Sequence, residues 1–290
     1  MENFTLRLPE FYSASEVRSF HARDREGFAE TVSEDRIRKG FILDGVPLIL
    51  SIEFKASEAR CHVSVEGKSP AEPTMIRIVR NLLGLNIDPL AFAKFTRRDP
   101  VMGPLVRRNP HLRIPQAATI FEALTWAIIG QQINLPFAIT LRRNFIRVAG
   151  HQHRDGLWCY PDAASAASIE PGDLLPYQFS RSKAETLVRV ARLVASGELP
   201  LEELQCTSQL EIEAALLAIK GIGPWTVNYT LLRGFASSDC SLHGDAGIRN
   251  AIHRLRGSTA TKPTAPEIQS FLEAYRPHRT MAAAHLWASL

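Results

Sequence analysis

At 290 residues, 45% hydrophobic and 22% charged, the chain has room for two or three domains with separate cores, and its composition excludes a disordered or fibrous protein. No apolar run approaches the roughly 18 residues that a membrane-spanning helix needs, and the start, MENFTLRLPEFYS, lacks the basic segment and apolar core of a signal peptide. The net charge of +4 points to a polyanionic partner; residues 1–60 hold 9 Lys/Arg against 11 Asp/Glu, so the basic excess lies in residues 61–290, 25 against 19.

Residues 1–87 read as a mixed α/β domain. Phe4 to Leu8 forms a short strand, and Phe41 to Leu43 and Val46 to Phe54 flank Asp44-Gly45, a hairpin-turn signal. Arg60 to Val65 alternates as a further strand. Ile76, Val79, Leu82 and Leu83 then follow helical spacing over Pro73 to Leu83. This region is not basic, which suggests a structural role.

From Asp88 onward the pattern is helical, with segments expected at 88–97, 119–132, 136–149, 181–195, 208–219, 224–233, 245–255, 265–275 and 279–288. Turn-rich breaks fall at Pro100 to Pro115, Gly150 to Pro161 and Gly257 to Pro263. The fold class is therefore α+β, a small N-terminal α/β domain before a mainly helical core. Cys61, Cys159, Cys206 and Cys240 lie far apart without C-x-x-C spacing, as reduced thiols of a cytosolic protein would, and give no iron–sulfur pattern. His151-x-His153 sits in a polar loop without nearby partners, which argues against a metal site.

The most specific stretch is Leu216 to Tyr229, LLAIKGIGPWTVNY. Gly221 and Gly223 allow a tight turn between two apolar helical segments, and Pro224 opens the second where its missing N–H costs nothing. Such a turn exposes amides and a helix N-terminus, a natural seat for phosphate. Alone such a turn is more often only a helix connection.

The whole run resembles the helix-hairpin-helix DNA glycosylase superfamily, whose hairpin, L-x-x-[I/L]-x-G-[I/V]-G-x-[W/K]-T-A-N, precedes an essential Asp. Here that Asp is Asp245, in Leu242-His243-Gly244-Asp245, sixteen residues after Tyr229. Phe121 to Ile133, FEALTWAIIGQQI, is similar to the family's leading core helix, and Ser180 to Val194 to its basic helix. The likeness extends over nearly the whole chain and is closest to the bacterial 3-methyladenine glycosylase II group. There the N-terminal unit is similar to half of a TATA-binding protein. By this resemblance 115–230 forms one helical bundle, 88–114 joins 231–290 in a second, and the substrate cleft runs between them.

The resemblance implies a monofunctional glycosylase that flips alkylated purines from duplex DNA, acting as a cytoplasmic, nucleoid-associated bacterial monomer away from membranes. Asp245 would be the catalytic carboxylate, although an Asp before a helix is also an ordinary cap; Asp239 is the nearby competitor. Trp225 stands where strand-cutting relatives carry a nucleophilic lysine, and Lys220 lies five residues too early for that task. Trp225, Tyr229, Trp287 and Trp126 would line the base pocket, where aromatic faces attract cationic purines, though aromatics on apolar helix faces are also ordinary core. Gln132 would be the wedge entering the duplex. Lys220 and the amides of Gly221, Gly223 and Trp225 would grip a phosphate. No cofactor is required; a monovalent cation on the carbonyls of Leu217, Ile219 and Gly221 is the family's common addition. An oxidised- or deaminated-base glycosylase and a non-catalytic DNA-binding protein are the alternatives.

Overall fold

The computed structural model describes residues 3–257 and 261–290, so the expected break at Gly257 to Pro263 lies partly outside the described residues. The N-terminal unit comprises β1 (Asn3–Arg7), α1 (Ser15–His21), β2 (Glu30–Val32), β3 (Arg36–Leu43), β4 (Val46–Phe54), β5 (Glu58–Val65) and α2 (Glu72–Leu82). Its strands form an antiparallel sheet in the order β1-β5-β4-β3-β2. Asp44 and Gly45 both have positive φ, 51° and 78°, as a two-residue type I′ turn between β3 and β4 demands. Leu48, Leu50 and Ile52 on one face of β4 share a buried core with Met75, Ile78, Val79 and Leu82 of α2.

The remainder is helical: α3 (Pro89–Phe95), α4 (Met102–Arg108), α5 (Ile120–Gly130), α6 (Leu135–Ala149), then a two-strand hairpin β6 (His151–Gln152) and β7 (Trp158–Cys159), α7 (Ala163–Ala167), α8 (Pro171–Leu174), α9 (Arg181–Ala195), α10 (Leu201–Leu204), α11 (Gln209–Leu217), α12 (Pro224–Arg233), α13 (Ala246–Arg256), α14 (Ala265–Glu273) and α15 (Arg279–Ala288). Side-chain caps start most of the long helices. Thr119, Asn134, Ser180 and Asp245 each accept a backbone N–H of the turn they open, and Ser208 with Glu211 and Thr264 with Glu267 form capping boxes. The apolar α5 is the hub, packed against α6, α9 and α12, while α4 packs on α15.

Two expected breaks are corrected, and one helix was not expected. The supposed break after Pro100 contains α4, and α1 occupies a stretch without clear periodicity. The break at 150–161 contains β6 and β7, and the chain there returns to the N-terminal sheet: Tyr160 N–H donates to the Gly40 carbonyl at 3.0 Å and Ile42 N–H to that of Tyr160 at 2.8 Å. Gly40 is required by this approach, since a Cβ there would lie 2.3 Å from the Trp158 carbonyl oxygen. His151 and His153 have partners of their own: Glu66 lies 2.7 Å from His151 Nε2, and the Asp155 amide donates to His153 Nδ1.

A buried ionic cluster joins the N-terminal unit to the core. Lys39, only 2% exposed, donates to Glu30 at 2.5 Å and Glu122 at 2.7 Å, and Arg142 Nη2 donates to the same two at 2.7 and 2.9 Å. His21 Nδ1 meets Glu30 at 2.8 Å. Burial opposes ionisation of both glutamates, but Lys39 and Arg142 outweigh it and hold both carboxyls below the usual range.

Candidate active site

The hairpin between α11 and α12 is built as its glycines suggest. Gly221 has φ +97°, and a Cβ on it would sit 2.4 Å from Thr186 Oγ1 of α9, so any larger residue would both strain the turn and push α9 away. Gly223 is the extended cap of α12 and Pro224 its first residue. The amides of Gly221, Gly223 and Trp225 donate to no backbone carbonyl among the described residues. Lys220 is exposed beside them, its carbonyl accepting from Arg189 Nη1 at 3.0 Å. Of the carbonyls expected to hold a cation, that of Ile219 already accepts the Ile222 N–H and that of Gly221 the Gln131 amide.

Asp245 performs the ordinary task of a helix cap. Its Oδ1 caps α13 by accepting the Ile248 N–H at 3.0 Å and also accepts Trp287 Nε1 at 2.9 Å. Its Oδ2 accepts Trp225 Nε1 at 3.0 Å. Three donors thus fix the plane of the carboxylate and leave one lone pair, on Oδ2, for a further partner. Asp239, the competitor, is held by Arg279 through both oxygens at 2.8 and 2.9 Å, with Arg276 at 3.2 Å, and serves as an ion-pair anchor.

The four aromatics come together from three helices. Tyr229 is their buried centre: its ring centroid lies 5.2 Å from Trp225 and 6.4 Å from Trp287, and its hydroxyl accepts Trp126 Nε1 at 3.1 Å. Trp225 and Trp287 aim their indole N–H groups at Asp245 from opposite sides of it in the chain and so fix its carboxylate. An open groove of about 790 Å³ runs beside them, lined by Gln131, Gln132, the hairpin from Gly221 to Thr226, and Gly244 to Ala246. Gln132 is exposed at its edge with φ +57°, a left-handed conformation uncommon for a residue with a Cβ.

Sequence reasoning missed three pocket residues. Phe20 of α1 and Arg23 just after it line cavities shared with Trp126, Trp287 and Arg233 of α12, so the N-terminal unit contributes to the pocket wall as well as to structure. The Arg23 guanidinium stacks 3.7 Å above Phe20, and that of Arg233 lies 4.3 Å from Phe20, 5.9 Å from Tyr229 and 5.8 Å from Trp287. Burial works against ionisation of Tyr229, yet these guanidiniums and the Trp126 N–H overcome it and hold the phenol below its ordinary range. Burial lowers Arg233 to about 10, against the pull of Tyr229. An arginine inside the apolar run Leu231-Leu232-Arg233 was the one available signal; nothing local marks Phe20 or Arg23.

The AlkA N-terminal domain profile matches residues 3–119, and the profile described as HhH-GPD superfamily base excision DNA repair protein matches residues 125–277, more than half of the chain. The chain belongs to the HhH-GPD superfamily. Among its relatives, the DNA-3-methyladenine glycosylase of Bacillus subtilis is 26% identical over 98% of this chain and 96% of its own length. DNA-3-methyladenine glycosylase 2 of Escherichia coli is 24% identical over the same shares. The fold matches that of a 3-methyladenine DNA-glycosylase from Archaeoglobus fulgidus with a TM-score of 0.83, at 22% identity over 98% of this chain and 97% of that one. The end of α5, the hairpin and Asp245 line one groove. No helix among the described residues is long and apolar enough to cross a membrane.

Proposed function

We propose that this protein is a monofunctional DNA-3-methyladenine glycosylase that removes alkylated purines from duplex DNA in base excision repair, leaving an abasic site. It acts on damaged double-stranded DNA as a monomer in the bacterial cytoplasm. The observation that carries this reading is the convergence of the Trp225 and Trp287 indole N–H groups on Asp245 at the edge of the groove.

Chemistry on a base within a duplex requires that the nucleotide leave the stack, at a cost of about a few kcal/mol. The free amides of Gly221, Gly223 and Trp225, with Lys220, grip the backbone phosphate, and Gln132 enters the gap. The base lodges against Trp225, Tyr229, Trp287 and Trp126, whose faces favour a cationic purine. As the N-glycosidic bond breaks, its electron pair goes to the base and positive charge develops on the sugar. The Asp245 carboxylate opposes that charge, and its free Oδ2 lone pair accepts a proton from the water that adds to the anomeric carbon. An indole at Trp225 cannot form an imine, so the strand is not cut. No cofactor enters these steps. A monovalent cation on the hairpin would rest on the remaining lone pairs of the Leu217 and Ile219 carbonyls, with Gly221 as a shared third ligand.

A second reading, excision of deaminated bases, gains support from Arg23 and Arg233, neither of which pairs with a carboxylate among the described residues. A cationic base meets repulsion there, whereas a neutral base departing as an anion is stabilised. Base-release assays on duplexes carrying 3-methyladenine, 7-methylguanine, hypoxanthine or 8-oxoguanine separate the two. Release of the methylated purines is expected; release of 8-oxoguanine alone, or of no base, overturns the proposal.

A further inference from the structure

Only Gln131, Gln132 and Ile133 separate the end of α5 from Asn134, the cap of α6. A left-handed residue with a Cβ, such as Gln132, persists only when its surroundings over-determine it. The surroundings here are specific. Lys183, in the first turn of α9, sends its ammonium to the carbonyls of Ile129 at 2.5 Å and Gln131 at 3.1 Å, the last groups of α5, where a cation also suits the helix dipole. It pairs with no carboxylate among the described residues. The Gln131 carboxamide reaches the other way, donating to the Gly221 carbonyl at 2.9 Å and to Thr226 Oγ1 at 2.8 Å. One residue therefore ties the loop to the phosphate-facing hairpin, and the other ties it to α9, against which Gly221 is itself wedged.

We propose that Lys183 and Gln131 are positioning residues that lock the α5–α6 loop to the hairpin, so that Gln132 is held preformed as the wedge and moves with the phosphate grip as one body. The inference rests on the glycosylase reading for its setting. Its physical content is that a wedge must resist the restoring force of the base stack. A loop free to relax would surrender part of the extrusion free energy to its own motion.

The test compares the same lesion, 7-methylguanine, paired in a duplex and unpaired in a single-nucleotide bulge, where the extrusion cost is largely removed. The variants are Lys183→Met and Gln131→Glu, the latter isosteric but turning an acceptor toward the Gly221 carbonyl. Single-turnover release should show the paired-to-bulged rate ratio falling about tenfold in both variants. Lys183→Arg, which can still donate to two carbonyls, should restore the ratio to within threefold of wild type. A parallel measurement follows 2-aminopurine fluorescence beside an abasic analogue, which reports wedge insertion without any base release, and its response should fall in step with the ratio. A ratio unchanged within threefold, as when both substrates lose equally, overturns the proposal, and so does an unchanged fluorescence response. Should the wild-type protein release no base at all, the glycosylase reading fails while the fluorescence still decides the role of the loop.

Discussion

Replacing Asp245 by Asn separates the capping duty of this side chain from its charge. With the amide oxygen in the Oδ1 position, the Ile248 N–H at 3.0 Å and Trp287 Nε1 at 2.9 Å keep their acceptor, and Asn caps a helix about as well as Asp. The amide nitrogen then takes the Oδ2 position and faces the Trp225 N–H that now donates at 3.0 Å, so two donors meet. An unsatisfied, part-buried donor costs about 1–3 kcal/mol, and partial exposure places this one near 1–2 kcal/mol. For a chain of this size that is a fall of roughly 2–6 °C in melting temperature. A protein with an ordinary stability of about 5–15 kcal/mol stays almost wholly folded after such a loss. Removing the charge from the reacting centre, by contrast, should cost at least about 10²–10³ in rate. Single-turnover base release from a 7-methylguanine duplex, together with anisotropy titration of an abasic-analogue duplex, should show that large loss with binding near wild type. Release within threefold of wild type would refute the catalytic assignment, and a joint collapse of binding and release would make Asp245 structural.

Trp287→Phe keeps the ring and removes the N–H, and with one charge-assisted hydrogen bond worth about 1.5–3 kcal/mol, base release should fall about tenfold or more. Trp287→Leu removes the ring as well and should cost 3-methyladenine up to about tenfold more than hypoxanthine, each relative to its uncatalysed rate; equal losses would make the ring a shape-filler. Borohydride should trap no protein–DNA adduct, and the product should break only after alkali; an adduct that disappears in Lys220→Ala would show that the hairpin lysine reacts. Lys39→Met leaves Glu30 and Glu122 buried with one partner fewer and should destabilise the fold by about 3–5 kcal/mol in urea titrations. Lys39 and Arg142 hold the folded carboxyls below the ordinary glutamate range, so the cluster's contribution is present above the range in which the unfolded carboxyls titrate and is lost as pH falls through the lower folded values. In Lys39→Met that loss should begin at higher pH, and identical acid-unfolding curves would show that the lysine does not set the glutamate ionisation.

Much of the helical core was legible because its signals are local. Helix starts at Ser180, Ser208, Asp245 and Thr264 are written as cap residues, and the periods that follow end close to the observed helices. The hairpin was readable for the same reason: a glycine at φ +97° and a proline one residue after a helix cap are conditions of backbone geometry, independent of what lies opposite. The α1 and α4 helices were hidden because seven residues carry few periods and neither opens with a side-chain cap, whereas α3, equally short, is announced by the Asp88 cap and Pro89.

Local sequence dictates the conformation of the turns and caps, and the family motif picks out the aromatics and Asp245. The tertiary structure alone decided how they meet. Two of the lone pairs of Asp245 are taken by indoles 20 positions before it and 42 after it in the chain. Phe20 and Arg23 reach cavities shared with Trp126 and Trp287 from the N-terminal unit, and Lys39 finds Glu122 across 83 residues of chain. Gly40 faces the Trp158 carbonyl for the same kind of reason. These pairings depend on long-range closure, whose free energy is set by the whole packed core rather than by any window of residues, and a linear pattern carries no record of it.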